Sequence, residues 1–552
     1  MGTNENGEYD EVRVHDLCTK ESWWNVPHLV RLNLMLAVPF MSAYIGGYDG
    51  SVLNGMQTLD HWKAGKFTES SILILPVQYF TKPVIKYYRP NLTLFRTLEF
   101  DYPSGGILGL LVNIQTIGGV IALPIAPWMA DKYGRRHPIF LGSCIIIGAA
   151  ILQGCATNMA MFLAGRLFIG LGGMFISCAA PPLLGELAYP THRPIITGIY
   201  NTTWYTGAIV AAWATYGTFH MNSNWSWRIP SFLQALVSIF QVVFIYFLPE
   251  SPRWLVANGR SAEATKVLSK HHSGTDEPTE LVRLQIAEIT SAIEFERSVE
   301  SVSYLQFFKT KGNRHRLLVV ASLGFIIQWC GNQLIAPYLA LVLSDIGITD
   351  GETQNLINGS LQIYNFIIAC SSATLIDRIG RRPLLLTSTI GMLSTFTVWT
   401  ILAARNQMEN GSHKGFGIGI VVLIFVFFTF YNIAMSPLPI AYLLEVLPYT
   451  LRSKGLSIFN LAQICSGLFN GFVNPVGLKA LRWKYYIVFV VAQLLWLSII
   501  YFSYPETRGL ALEEVAQVFD GRQVLDRTLD IKAEGIPEFD HKSRVTSDDK
   551  QL

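Results

Sequence analysis

The sequence predicts an all-α membrane protein with about twelve transmembrane helices in two six-helix bundles joined by a polar, helical linker. Three observations carry that reading. Hydrophobic residues fill 51% of the 552 positions and charged residues only 15%, well below the roughly 25% charged residues of an average soluble domain. Twelve apolar runs are spread along the chain, most of them near the ~20 residues that cross a hydrocarbon core at about 1.5 Å per residue. Three unlike signatures recur in the same order at offsets of 246, 259 and 256 residues, which marks an internal duplication and a two-half, pore-forming carrier.

In chain order, residues 1–29 form a polar tail carrying Glu5, Glu8, Asp10, Glu11 and Asp16. It lacks an apolar core of its own and is not a cleaved signal peptide. The first bundle occupies 30–248, with apolar runs at 32–45, 107–129, 139–156, 160–184, 195–216 and 232–248. Its first run is short and needs the glycine-rich stretch 46–50 to complete a span. Within this bundle, 70–99 interrupts what should be a short outer loop with Ile72-Leu73-Ile74-Leu75, two prolines, Lys82, Lys86 and Arg89. It is either an atypical outer-loop insertion or sequence foreign to the mature protein, and the second is favoured because Trp62 and Phe100 would join naturally without it.

The linker, 249–313, places Leu281, Leu284, Ile286, Ile289 and Ile293 at helical spacing, as amphipathic helices lying on a membrane face would. The second bundle occupies 314–504, with runs at 317–342, 356–376, 384–404, 418–444, 456–473 and 486–504. A tail follows at 505–552, and beyond Leu510 its few apolar residues predict disorder.

The first duplicated signature is a cationic tight turn, Asp131-Lys132-Tyr133-Gly134-Arg135-Arg136 and Asp377-Arg378-Ile379-Gly380-Arg381-Arg382. The second is a glutamate seven positions before an arginine, Glu186 to Arg193 and Glu445 to Arg452. The third is a Pro-Glu phrase at Pro249-Glu250 and Pro505-Glu506. The excess of Lys and Arg in the turns and the linker places them, and both termini, in the cytoplasm; the basic segments 479–484 and 63–96 run against that bias. On one surface Asp131, Arg135, Arg136, Glu186, Arg193 and Glu250 are expected to form a charge network, with Asp377, Arg381, Arg382, Glu445, Arg452 and Glu506 as its twin. Such a cytoplasmic gate closes the inner mouth and must break when that mouth opens. A solvated positive loop would account for the arginines but not for the repeated glutamates.

A charge at the bilayer midplane is costly, so an ionisable residue within a span needs a partner or a wet cavity. Few spans hold one. Asp49 ends the first run and Arg166 lies inside the fourth; a carboxylate held between burial and a cation can change its proton affinity as a carrier changes shape. Capping a helix, or a static pair with Arg166, is the plainer alternative. Amides stand in the apolar runs at Asn201, Gln328, Asn332, Gln333, Asn365 and Gln463, each able to donate and accept as sugar hydroxyls do; the plain alternative is interhelical hydrogen bonding. Trp204, Tyr205, Trp329, Tyr338 and Tyr442 stand near them as candidate ring walls, or else as interface anchors or core.

The net charge of +3 gives no nucleic-acid footprint. Six of seven cysteines lie inside apolar runs without metal-ligand or disulfide spacing. Neither a catalytic set nor a metal or cofactor motif is present, and an enzyme is not expected. Gly170-Leu171-Gly172-Gly173 reads as close helix packing.

The two Gly-Arg-Arg turns, with Pro249-Glu250-Ser251-Pro252-Arg253-Trp254-Leu255 and Pro505-Glu506-Thr507-Arg508-Gly509, resemble the sugar porter family of the major facilitator superfamily from about Leu32 to Leu510. The resemblance implies two bundles around a central sugar site, alternating access, and a cytoplasmic helical domain between the halves. It implies that Asp49 is the acid distinguishing proton symporters from facilitative members and that Arg166 is its partner. It also implies sugar-binding positions at Asn201, Gln328, Asn365 and Gln463. Ile327 and Gln333 depart from the seventh-span pattern, and Ile440 from a common tryptophan, which sets this chain apart from a standard glucose site. Tyr48-Asp49-Gly50 and Trp204-Tyr205 resemble the fungal branch that includes lactose permeases. The expected function is a plasma-membrane, multi-pass sugar transporter, proton-coupled, carrying a mono- or disaccharide. Its partners would be a small-molecule sugar, a proton and the lipid bilayer, with a monomer as the expected state. A facilitative uniporter is the alternative, and a sugar sensor the more distant one.

Overall fold

The computed structural model of the chain describes residues 17–19, 21–59, 106–299, 303–373, 376–409, 414–510 and 512–520. The interruption at 70–99, most of the N-terminal tail and the C-terminal tail beyond 520 lie outside the described residues. Among the described residues the regular structure is helical. Span 1 comprises α1 (Pro27–Phe40) and α2 (Ser42–Met56), span 2 α3 (Gly106–Ala122) and α4 (Ile125–Tyr133), span 3 α5 (Arg136–Gly154), and span 4 α6 (Met159–Leu187). Span 5 is α7 (Arg193–Thr218), and span 6 is α8 (Trp225–Leu233) with α9 (Ala235–Phe244).

The linker holds α10 (Pro252–Ala257), α11 (Ser261–Leu268) and α12 (Glu280–Val299), and α13 (Gln306–Lys309) leads into the second half. There span 7 is α14 (Lys311–Trp329), α15 (Asn332–Ile335) and α16 (Leu339–Asp345), span 8 is α17 (Gly351–Ala373), and the short α18 (Ile376–Ile379) precedes span 9, α19 (Arg381–Met408). Span 10 is α20 (Lys414–Ala434) with α21 (Leu438–Val446), span 11 α22 (Tyr449–Leu481) and span 12 α23 (Lys484–Ser503); α24 (Leu512–Asp520) follows.

Nine of these segments are long and apolar enough to cross a membrane, and α3 with α4 makes a tenth, bent by 45° where Pro124 withholds a backbone donor. The two other expected spans, α7 and α17, are long but less apolar. They carry Asn201, Thr202, Thr203 and Tyr205 on one and Gln354, Asn355, Asn358, Gln362 and Asn365 on the other. These two helices pack on each other across the halves, which is where polar side chains are sheltered from lipid. Span 1 breaks at Met41, just after Pro39, and continues through the glycine-rich stretch to Met56. Its duplicate, span 7, breaks at Gly331, whose φ of 109° suits glycine. Discontinuous spans at matching positions of two halves are where carriers build their sites.

Each half has its own core. In the first, Phe162 packs edge-on against the buried Trp227. In the second, Phe396 stacks on Trp399 at 5.2 Å beside Tyr486 and Phe489. Spans 2 and 4 meet at backbone contact: a Cβ on Gly170 would lie 1.8 Å from the Gln115 carbonyl oxygen, and one on Gly118 2.0 Å from that of Leu167. The linker docks on the first bundle through His272, which bonds the Leu187 carbonyl at 3.2 Å and Gln285 of α12 at 3.0 Å. Burial pushes the His271 imidazole down to about 4, helped by the neighbouring Lys270, His272, Arg31 and His28, and burial lowers His272 as well.

The expected disorder beyond Leu510 does not begin there. The helix α24 buries Val515 and Phe519 against the second bundle. Asp520 also takes two bonds from the buried Arg316, at 2.9 and 2.7 Å. A short amphipathic helix and one carboxylate meet a buried guanidinium that also donates to the Val446 carbonyl and to Asn313 Oδ1, a pairing that composition alone does not reveal.

Candidate functional site

The duplicated turns are built alike. Gly134 (φ 94°) and Gly380 (φ 107°) let the chain turn back tightly, and a side chain at either would press on Glu250 or Glu506 respectively. Glu250 accepts the backbone N–H groups of Arg135 at 2.9 Å and Arg136 at 3.4 Å, and the Arg136 Nε at 3.3 Å. Glu506 accepts from Arg381 and Arg382, each at 3.0 Å. Burial opposes ionisation of Glu506, but the N–H donors of Arg508, Arg381, Arg382 and Thr507 outweigh it and hold the carboxyl below its usual range.

The second glutamate of each set completes the pattern. Glu186 accepts the Ser251 hydroxyl and lies 4.0 Å from Arg135, while Glu445 takes Arg381 at 2.8 Å and the Thr507 hydroxyl at 2.5 Å. Asp131 pairs with Arg135 at 2.9 Å. The structure thus brings together Asp131, Arg135, Arg136, Glu186 and Glu250 in one half, and Arg381, Arg382, Glu445 and Glu506 in the other. The ion pairs Arg135–Asp131, Arg135–Glu186, Arg136–Glu250 and Arg381–Glu445 each lie within one half. Of the other members of the expected networks, Arg193 is exposed and within electrostatic reach of Glu186 and Glu288, and Arg452 donates to the Leu447 carbonyl at 3.2 Å. The Asp377 side chain lies outside the described residues.

Asp49, on α2, is 3% exposed, as is Arg166 on α6. The connection between them runs through a third residue, Gln115 of α3. Its amide nitrogen donates to Asp49 Oδ2 at 3.3 Å and its carbonyl oxygen accepts from Arg166 Nη2 at 3.0 Å. Arg166 also donates to the Leu111 carbonyl at 3.0 Å. Asp49 and Gln115 line a cavity of about 230 Å³ with Ser42, Thr116 and Ser177, closed on one side by Ile464 of the second half.

The amides form a second group. Asn365 is 2% exposed and accepts from Asn432 at 3.1 Å, and Asn432 accepts the Tyr205 hydroxyl at 2.6 Å, so one file of hydrogen bonds runs from span 5 through span 10 to span 8. Asn332 donates to the Tyr431 hydroxyl at 3.2 Å. The Gln328 side-chain oxygen is buried without a hydrogen-bond partner among the described residues. Gln333 gives its backbone carbonyl to Asn474 at 2.9 Å, and Gln463 is half-buried on span 11. Asn201 is exposed on α7, one turn before Tyr205. Trp204 lies along α2, its ring 3.3 Å from where a side chain on Gly50 would begin. Tyr442 stands elsewhere: it is fully buried, stacked on Tyr504 at 5.6 Å, and donates to the Pro505 carbonyl at 2.9 Å. Its place at the end of span 10 makes it an anchor of the Glu506 turn, not a wall of the amide group.

Towards the face opposite the turns, amides also join the bundles. Asn54 donates to Asn358 at 3.2 Å and accepts from the Ala340 N–H at 3.3 Å. Asn355 donates to Thr58 at 2.6 Å, Gln57 to the Pro337 carbonyl at 3.0 Å, and Asn113 to the Leu468 carbonyl at 3.1 Å. Towards the turn face, by contrast, Ile195, Ile199 and Ile440 are half or more exposed. Sequence reasoning passed over Gln115, Asn432, Tyr431, Asn54 and Asn358. Each is a neutral group in an apolar run, and the available signal was the same one that flagged Asn365.

Two bundles related by duplication, a buried acid and cation beside a shared cavity, and facing amides define a membrane carrier of small solutes. The sequence pattern described as "Sugar (and other) transporter" matches residues 35–519, and the chain belongs to that family of major facilitator transporters. It is a multi-pass sugar transporter, not an enzyme. The MFS-type transporter criB of Aspergillus cristatus is 29% identical over 430 residues, covering 77% of this chain and 87% of that protein. The low-affinity glucose transporter HXT3 of Saccharomyces cerevisiae is 29% identical over 418 residues, covering 74% and 73% respectively. The Escherichia coli xylose transporter XylE in an inward open conformation superposes with a TM-score of 0.67 at 17% identity, over 88% of this chain and 100% of that one.

Proposed function

We propose that the protein drives sugar uptake across the plasma membrane with the proton gradient, by alternating access, with both termini and the two Gly-Arg-Arg turns in the cytoplasm. One observation carries the coupling: Asp49 is a buried carboxylate on a span, bonded through a neutral amide and opening on a cavity that both bundles share. A carboxylate so held can be protonated without leaving a bare charge in the membrane. XylE, which shares the fold, is described as a proton:xylose symporter, in keeping with the same chemistry here.

The cargo site we assign to Asn201, Gln328, Asn332, Gln333, Asn365 and Gln463, with Trp204 beside them. The unpartnered oxygen of Gln328 and the Tyr205–Asn432–Asn365 file offer donors and acceptors to the hydroxyls of a mono- or disaccharide. The hydrogen bonds joining the bundles away from the turns, together with the exposed flanks near them, support an inward-open arrangement of this chain.

The test is sugar-induced alkalinisation of the medium around expressing cells, screened with glucose, xylose, lactose and cellobiose. Alkalinisation that Asp49→Asn abolishes is the expected result. Sugar entry at an unchanged rate after a protonophore collapses the gradient would make the protein a facilitative uniporter.

A further inference from the structure

We infer that Gln115 is a positioning residue for proton coupling, setting how strongly Asp49 senses the charge of Arg166; this rests on the proton-coupled reading above. The guanidinium of Arg166 can only donate. The Gln115 oxygen, 3.0 Å from Arg166 Nη2, is therefore fixed on the arginine side, and the amide nitrogen must face Asp49, 3.3 Å away. Arg166 is meanwhile tied to span 2 twice, through Gln115 and through the Leu111 carbonyl one turn earlier at 3.0 Å. The near-contact of spans 2 and 4 at Gly170, beside the Gln115 backbone, holds that arrangement in register.

The consequence is an asymmetry. The cation is bonded between spans 4 and 2, while the acid on span 1 is hydrogen-bonded to the same Gln115 and feels the cation through space, with no direct bond to it. Span 1 can then move with its acid, breaking one neutral-donor hydrogen bond and leaving the two bonds from the buried arginine to span 2 intact. A direct ion pair in the same place would resist that movement, because separating buried charges is expensive. The other ionisable groups near Asp49 are Tyr44 and Tyr48 of its own helix. Tyr48 is engaged with the Pro230 carbonyl at 2.9 Å, so Gln115 is the group that mediates between acid and cation.

The experiment measures uptake of ¹⁴C-glucose, with ¹⁴C-lactose in parallel, against external pH in cells expressing the full chain. Gln115→Glu places a second carboxylate between Arg166 and Asp49, and like charge favours the protonated acid. The half-maximal pH of uptake should therefore move to higher pH, by about one unit. Gln115→Leu takes the N–H donor away from Asp49, and losing a bond to the charged form favours the protonated acid, so this profile should also move to higher pH. A purely structural glutamine would change the amount of folded carrier and leave both profiles where they were, and that result overturns the inference. If Gln115→Glu yields no surface carrier, the Gln115→Leu profile decides: a shift to higher pH supports the role and an unmoved or acid-shifted profile refutes it. Asp49→Asn is the separate control. Sugar accumulation that persists in Asp49→Asn counts against the proton-coupled reading itself, whatever the Gln115 variants do.

Discussion

At the scale of single residues, Glu250 and Glu506 do the same work in the two halves. Each receives two successive backbone N–H groups at a tight turn and faces a glycine that no larger residue could replace without displacing the carboxylate. Glu250→Gln or Glu506→Gln leaves one acceptor oxygen where two are used and should cost about 1.5–3 kcal/mol, the range for bonds to a charged group. Thermal unfolding of the purified protein measures that loss. Because the bonds to Glu250 and those to Glu506 each lie within one half, the double substitution should be additive within about 0.5 kcal/mol, and a strongly non-additive result would mean that the two turns are joined. The Glu506 carboxyl lies below its usual range when folded. Its contribution is therefore present above the unfolded-state value and fades as pH falls through the folded one. For the cargo, Asn365→Ala should raise the KM for the transported sugar about tenfold, equivalent to roughly 1.4 kcal/mol, in a concentration series of labelled uptake.

At the scale of elements, the helix α24 and the linker are attached parts, the first held by Arg316 and Asp520 and the second by Glu250, Ser251 and His272. Asp520→Ala strips two hydrogen bonds from Arg316, which is 1% exposed, and should destabilise the second bundle by roughly 2–3 kcal/mol. Truncation before 512 should do as much. Arg316→Met combined with Asp520→Leu should recover part of the loss, because an apolar pair avoids the desolvation of the ion pair. The linker depends on neutral histidines. His271 sits near 4 and His272 is also lowered, so the unfolded or undocked chain binds protons more readily. Docking is then fully stabilised above the ordinary histidine value of about 6.5 and weakens as pH falls towards about 4. Hydrogen exchange along 261–299 at pH 7 and pH 5 should show the linker opening at the lower pH, and His271→Gln with His272→Gln should flatten the difference.

At the scale of the whole molecule, the two bundles are joined away from the turns by amides, with Asn54–Asn358 and Thr58–Asn355 at the centre. Neutral hydrogen bonds suit a joint that must open in every cycle, since each contributes only about 0.5–1.5 kcal/mol. Asn54→Ala with Asn355→Ala should shift the equilibrium towards the opposite opening by about 5- to 150-fold. Labelling of a cysteine placed at Ile440, exposed in this arrangement, should slow accordingly. Unchanged labelling would mean that these amides do not hold the closed face.

Much of this was legible along the chain, and what was not has a physical cause. The duplication, the glycine turns with their glutamates, and the isolation of Asp49 and Arg166 in apolar runs are local facts of composition and spacing, so the sequence alone determined a two-bundle membrane fold and its charged positions. Which neutral groups meet could not be read that way. Asn432 and Gln115 resemble any amide in an apolar run until packing brings them to Asn365 and to Asp49. Tyr442, in the same stretch as the expected site, turns instead to Pro505. The pairing of each turn with glutamates of its own half, and the face on which the bundles join, were likewise decided only by tertiary structure. Hydrogen bonds between helices depend on rotation and crossing, which periodicity within one helix does not specify.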